Sequence, residues 1–198
     1  MSLPYSGTAI GIVCSDGVVL SSDKSYVYGN VVMSGNVKKT FIINDRVGVA
    51  AAGIAADMQQ LFSDLSYLVR IREIRLGKRM PTSSIAKLTS FLMYRRRLLP
   101  YLTQILVGGY IDKPELYSLD SLGSVIGDNY IVLGTGAEIA VGIVESEYRP
   151  DITMADALET VKKAFKSVVS RDVLTGSTID VLLIKEDGIK EETVKLFG

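Results

Sequence analysis

The 198-residue chain contains no histidine, and that absence limits the chemistry open to it. Without imidazole there is no Ser-His-Asp triad, no Cys-His pair and no histidine-held metal, so hydrolysis would need a lysine, an amine, a carboxylate or a bound ion as base. Among the many side chains of those types are Asp23, Lys39 and Asp172, with hydroxyls at Thr8, Thr135 and Thr175, and nothing in composition sets these apart from the rest. Taken singly they read plainly: Asp23 and Lys39 as a structural ion pair, Asp172 as a carboxylate at a helix C-terminus, Gly53 as a helix-entry glycine. The one cysteine, Cys14, excludes an internal disulfide framework and a multi-cysteine zinc site. It alternates with Ile12 and Asp16 on a strand, which makes it a buried thiol. The run Arg95-Arg96-Arg97 reads as a solvated face favourable to the helix dipole, or an inter-subunit contact, and not as a nucleic-acid site.

Composition sets the frame. Hydrophobic residues make up 47 % of the chain and 22 basic side chains balance 22 acidic ones, so nothing in the charge asks for nucleic acid or a membrane surface. A chain of this length fits one domain that buries roughly 70 % of its unfolded surface. The start, Met1 to Ser6, lacks the basic and apolar regions of a secretory signal, and the apolar run from Val47 to Ala56 is too short to span a bilayer. These features predict a cytoplasmic protein.

The elements that must position the candidate residues follow from hydrophobic period. Ala9 to Cys14 and Val18 to Leu20 are two-faced strands joined at Ser15-Asp16-Gly17, a hairpin. A second pair is expected from Tyr28 to Met33, turning at Ser34-Gly35-Asn36 into Lys39 to Ile43, with a further strand from Val47 to Ala51. From Ala55 the spacing of Met58, Leu61, Leu65, Leu68 and Val69 changes to that of an amphipathic helix. A second helix is expected to open on an N-cap cluster, Thr82-Ser83-Ser84, and to close at Pro100. Strands return at Thr103 to Val107, Glu115 to Leu119 and Ser124 to Leu133. Helices follow from Ile139 to Glu147 and Met154 to Ser170, and strands from Ile179 to Ile184 and Thr193 to Phe197. Grouped runs of this kind indicate an α+β domain of two stacked antiparallel sheets with paired helices outside.

Several segments, in order along almost the whole chain, resemble β-type subunits of the proteasome core, archaeal-like in character. They are Thr8-Ala9-Ile10-Gly11-Ile12, Asp16 to Leu20, Asp23, Lys38-Lys39, Ala52 to Asp57, Gln104 to Gly109, Leu119 to Gly123, Gly134-Thr135-Gly136, and Arg171-Asp172 with Thr175-Gly176. The resemblance implies a four-layer αββα sandwich, the N-terminal nucleophile hydrolase fold. It implies a short propeptide-like extension over residues 1–7 before a single domain over 8–198. No α-type N-terminal helix is evident. Seven-membered β rings stacked between α rings are implied as the assembly, with α subunits and other β subunits as partners, unfolded polypeptides as substrates and, indirectly, a regulatory ATPase. No cofactor or metal is expected.

Active members of that family free a threonine whose hydroxyl attacks the peptide and whose α-amine, with a pKa of about 7.7 to 8.0, accepts the proton. By resemblance Lys39 lowers the pKa beside it, Asp23 holds that lysine, and Asp172 is the second carboxylate. Thr135 and Thr175 stand where serines are usual, and Gly53 supplies the oxyanion N–H, a donor type worth ~3 kcal/mol. Tyr26, Val37, Ala51 and Ala55 would line a substrate pocket.

The nucleophile departs from the pattern. Counting back four residues from Gly11 gives Gly7, and Asp23, Lys39 and Asp172 each fit the same register. Thr8 is one residue late, and side chains alternate along a strand, so its hydroxyl is expected on the opposite face unless a bulge re-aims it. The favoured expectation is a subunit without its own nucleophile that serves in assembly. The alternatives are a threonine endopeptidase that uses Thr8 after cleavage between Gly7 and Thr8, and a standalone adaptor on the same fold.

Overall fold

The computed structural model describes residues 6–29 and 31–197. Residues 1–5 of the expected N-terminal extension lie outside them. The described chain forms strands β1 (Thr8–Cys14), β2 (Gly17–Asp23), β3 (Tyr26–Tyr28), β4 (Val31–Ser34), β5 (Thr40–Asn44) and β6 (Val47–Gly53), then helices α1 (Ala55–Leu76) and α2 (Thr82–Tyr94). Strands β7 (Thr103–Tyr110), β8 (Pro114–Leu119), β9 (Val125–Gly127) and β10 (Tyr130–Gly134) follow. Helices α3 (Ala137–Glu147) and α4 (Met154–Val169) and the hairpin β11 (Thr178–Lys185) and β12 (Gly188–Lys195) complete it.

Two five-stranded antiparallel sheets result, ordered β10-β1-β2-β11-β12 and β5-β6-β7-β8-β9, with β3-β4 as a separate ribbon. Strand alternation explains the layers. In β1, Ile10 and Ile12 join the cluster under α3 and α4, while Ala9 faces the other sheet. In β6, Val47, Val49 and Ala51 pack under α1 and α2, and Ala50 points inward. Because both faces are covered, these strands are apolar throughout, which is why they read as two-faced in the sequence. The sheets approach closely at Gly11, where a Cβ would meet Leu116 Cδ1 at 2.8 Å. The architecture is the expected α+β sandwich of four layers.

Local chemistry sets the helix ends. Thr153 caps α4 by accepting from the Asp156 N–H at 3.2 Å. The N-cap of α2 is Pro81, whose carbonyl accepts from Ser84 and Ile85, and Thr82 already lies inside the helix. The expected Thr-Ser-Ser cap is therefore displaced by one residue. The helix ends at Tyr94, well before Pro100, and Arg95 to Leu99 continue as hydrogen-bonded turns.

Three strand expectations are corrected. Gly29 adopts φ 61 and turns the chain between β3 and β4, so the predicted partner of Tyr28 to Met33 is not Lys39 to Ile43. That segment, β5, pairs with β6. The single strand expected from Ser124 to Leu133 divides at Asp128-Asn129: β9 pairs with β8 in one sheet and β10 with β1 in the other. The Asn129 carbonyl accepts from Val13 and the Asp128 N–H donates to Leu116, so these two residues carry the chain across the sandwich. The last strand spans Gly188–Lys195, earlier than the expected Thr193 to Phe197, because it pairs from the hairpin turn along all of β11.

Cys14 is 3 % exposed in the cluster under α3 and α4. Burial pushes its thiol from 9.0 up to about 12, the charge of Asp16 adds to this, and a backbone hydrogen bond at Val19 opposes it. The folded pKa exceeds the unfolded one, so this contribution to stability is complete below 9.0 and is lost as pH rises toward about 12. Native protein at pH 8 is expected to leave Cys14 unreacted with Ellman's reagent until denaturant is added. Urea titrations should show stability falling above pH 9, and Cys14→Ala should remove up to ~1.4 kcal/mol per pH unit of that slope, leaving the part due to Tyr117 and Tyr148, whose phenols are also raised by burial.

Candidate active site

One end of the sandwich gathers polar groups from six elements. Asp23 closes β2, Lys39 precedes β5, Gly53 closes β6, and Thr135 follows β10. Asp172 and Thr175 lie in the loop after α4, and Thr8 opens β1 with Gly7 immediately before it. Sequence separations of up to 167 residues are closed here by sheet pairing.

Asp23 is fully buried and its carboxylate accepts four hydrogen bonds. Lys39 Nζ donates to Oδ1 at 2.9 Å and the Thr8 N–H to the same oxygen at 3.0 Å. Oδ2 accepts from the N–H groups of Ser25 at 2.8 Å and Gly176 at 3.0 Å. The Lys39 side chain is itself only 2 % exposed. A buried pair of this kind persists because hydrogen bonds satisfy the remaining lone pairs.

The hydroxyls form a second chain with a defined direction. Thr135 and Thr175 both donate to Asp172 Oδ2, each at 2.6 Å. Thr175 has thereby used its only proton, so in the 2.7 Å contact between Thr8 Oγ1 and Thr175 Oγ1 the threonine at position 8 is the donor. Thr8 Oγ1 also accepts from the Gly136 N–H at 3.1 Å. The Thr8 hydroxyl thus has Thr175 and Gly136 as its partners, while its backbone N–H faces Asp23.

Gly7 occupies the other side of the strand. Its φ is +94, and a Cβ there would run into both Asp23 Oδ1 and Lys39 Nζ. The direction that meets the lysine therefore belongs to residue 7, which has no side chain. Gly53, at φ +140, donates its N–H to the Ser6 carbonyl at 3.1 Å, and Ser6 Oγ returns a bond to the Gly53 carbonyl at 3.4 Å. The candidate oxyanion donor is occupied by the chain's own N-terminal segment.

The four residues expected to line a pocket lie apart in exposure. Tyr26 is exposed on β3, Val37 and Ala55 are half-buried, and Ala51 is fully buried under α1 and α2. The backbone binds them more closely: Ala51 N–H donates to the Lys39 carbonyl and Val37 N–H to the Lys24 carbonyl. Among the described residues no cluster of three or more cysteine, aspartate or glutamate side chains could hold a metal ion.

Two positioning residues escaped the sequence reading. Ser22 Oγ lies 2.8 Å from the Ala51 carbonyl and 3.2 Å from the Thr8 carbonyl, tying β2 to β1 and to the opposite sheet. Gln104 Oε1 accepts from the Gly134 N–H at 3.0 Å, bridging β7 to β10. Ser22 had a signal, since Ser21-Ser22-Asp23 ends an otherwise apolar strand; Gln104 opens a segment that carries the resemblance, but nothing marked it as the acceptor that joins β7 to β10.

Comparison with known proteins adds an independent line. The family model described as "Proteasome subunit" matches residues 5–184. The chain is 42 % identical over 197 residues to "Proteasome subunit beta 1" of Nitrosopumilus maritimus, covering 99 % of this chain and 100 % of that one. It is 42 % identical over 190 residues to "Proteasome subunit beta 2" of Pyrobaculum calidifontis, covering 96 % and 94 %. The identity to "Proteasome subunit beta 1" of Desulfurococcus amylolyticus is 39 % over 189 residues, covering 95 % and 94 %.

The charge arrangement generates a stability prediction. Asp23→Ala strands the buried Lys39 ammonium and frees three backbone donors, and is expected to lower the unfolding free energy by ~3–5 kcal/mol in urea titration. Lys39→Met, which leaves the carboxylate its three N–H donors, should cost less. Equal and small losses for both variants would show that the pair is not structural.

Proposed function

Because the chain belongs to the proteasome family as a β-type subunit of the 20S core particle, we propose that it serves there without a nucleophile of its own. The observation that carries this reading is the register at the N-terminus. The residue whose side chain would meet Lys39 is Gly7, and a Cβ there has no room while the chain continues back to Ser6. Thr8, the nearest hydroxyl, is one residue along the strand and is committed to Thr175 and Gly136. Its nitrogen is a peptide N–H bonded to Asp23, and a peptide nitrogen cannot act as the base that a free amine would be.

In this reading the subunit builds the β ring beside active β subunits and next to the α ring, in the cytoplasm, and unfolded polypeptides delivered by a regulatory ATPase are cut at its neighbours. Lys39, Asp23, Asp172, Thr135, Thr175 and Gly53 keep the arrangement of an active site and act as its structural remnant. Tyr26, Val37 and Ala55 would contribute to the substrate pocket of an active neighbour. The segment before Thr8 remains attached.

Co-assembly with α-type and active β-type subunits tests this. Intact mass should retain residues Ser6 and Gly7 on the chain, and particles carrying Thr8→Ala should cleave fluorogenic peptides at the wild-type rate. A mature terminus at Thr8, together with loss of one peptidase activity in the Thr8→Ala particle, would overturn the reading in favour of a processed threonine peptidase.

A further inference from the structure

A cleft of about 350 Å³ opens between the start of β8 and the Asp128-Asn129 crossing. It lies at the end of the sandwich opposite the candidate active site. Thr8 begins β1 at that site, and Val13, beside the cleft, is near the strand's other end. Pro114 likewise pairs with Tyr110, the last residue of β7, whose first residue pairs with Gly53. Two bonds fix the wall of the cleft, from the Val13 N–H to the Asn129 carbonyl at 2.7 Å and from the Asp128 N–H to the Leu116 carbonyl at 3.3 Å. Lys113, Glu115 and Asp128 line this one concavity. Among the described residues none of the three forms an ion pair, with each other or with any other group. Glu115 has Tyr117 as its neighbour: burial pushes the Tyr117 phenol up, the charge of Glu115 and a hydrogen bond to it add to this, and a hydrogen bond with Ser83 opposes it. The phenol therefore stays neutral beside that carboxylate. Pro114 and Leu116 give the cleft its apolar lining.

We propose that this cleft binds a small zwitterion carrying an α-ammonium and an α-carboxylate, a free amino acid or short peptide with an apolar side chain. Opposite charges that line one concavity without neutralising each other suit a ligand that bears both complements. The ligand carboxylate meets Lys113, and its ammonium meets Glu115 and Asp128. A simple cation would be opposed by Lys113 and a simple anion by the two carboxylates, so neither satisfies the set. The apolar lining takes the side chain, whose burial adds binding that charge alone does not supply. The volume lies at the lower end of the range for small-molecule pockets, which suits a ligand of this size and not a folded partner. Because the cleft is at the far end of the strands from Asp23 and Lys39, the proposal stands whether or not the subunit cuts peptides.

The test titrates the isotope-labelled full chain with leucine and, separately, with the dipeptide Leu-Leu, and follows the backbone amides by NMR. Saturable shifts at Lys113, Glu115, Leu116 and Asp128 are expected, with a Kd below ~10 mM. Whichever ligand binds more tightly identifies the source as free amino acid or peptide. N-acetyl-leucine, which lacks the ammonium, and leucinamide, which lacks the carboxylate, should each bind at least ~10-fold more weakly than leucine. Lys113→Gln should weaken leucine at least ~10-fold without weakening leucinamide, and Asp128→Asn should weaken leucine without weakening N-acetyl-leucine. Both residues are exposed, so both variants should fold with the wild-type thermal midpoint. The proposal is overturned by the absence of saturable shifts at these residues with either ligand, by blocked analogues that bind as well as leucine, or by variants that bind leucine like the wild type.

Discussion

The buried carboxylate of Asp23 is the interaction on which this end of the molecule depends. Its two oxygens accept from Lys39 ahead of β5, from Thr8 at the start of β1, from Ser25 beyond β2 and from Gly176 in the loop after α4. Three segments distant in sequence, and the turn that follows Asp23 itself, are thereby referred to one charged group. A carboxylate without exposure is stable only when such donors replace its lost hydration. Moving any one of the four donors would leave either the charge or an N–H unsatisfied.

The same economy explains how Gly7 coexists with an otherwise complete set of polar groups. The ion pair and the hydroxyl chain through Thr175 to Asp172 are each closed by partners within the fold. Neither requires a side chain at residue 7 to satisfy it. The absence of a Cβ at Gly7 lets the strand pass against Asp23 and Lys39 and carry the Ser6 carbonyl to the Gly53 N–H. Lys39, Asp23 and Asp172 are therefore all held by partners within the fold.

Most of the element order was legible because the period of the apolar residues is set locally. The two-faced strands, the helix after Gly53 and the hairpin at the C-terminus each carry their own signal. Sites of crossing were harder. Asp128-Asn129 is a polar interruption visible in the sequence, but that it moves the chain from one sheet to the other depends on pairing with Val13 and Leu116, far away in the chain. Gly29 likewise competes with Ser34-Gly35-Asn36 as a turn, and only the pairing of β5 with β6 decides between them.

The sequence alone determined the residue types, the lack of imidazole, the family and the one-residue register that places glycine where a hydroxyl would be expected. These depend on composition and on spacing along one chain, which folding does not alter. Tertiary structure decided where each group points: that the Gly7 direction meets Lys39, that Thr8 turns to Thr175, that Ser6 covers Gly53, and that Ser22 and Gln104 bind the sheets together. Those outcomes are contacts between segments whose relative position comes from sheet pairing and layer packing, and no local pattern encodes them.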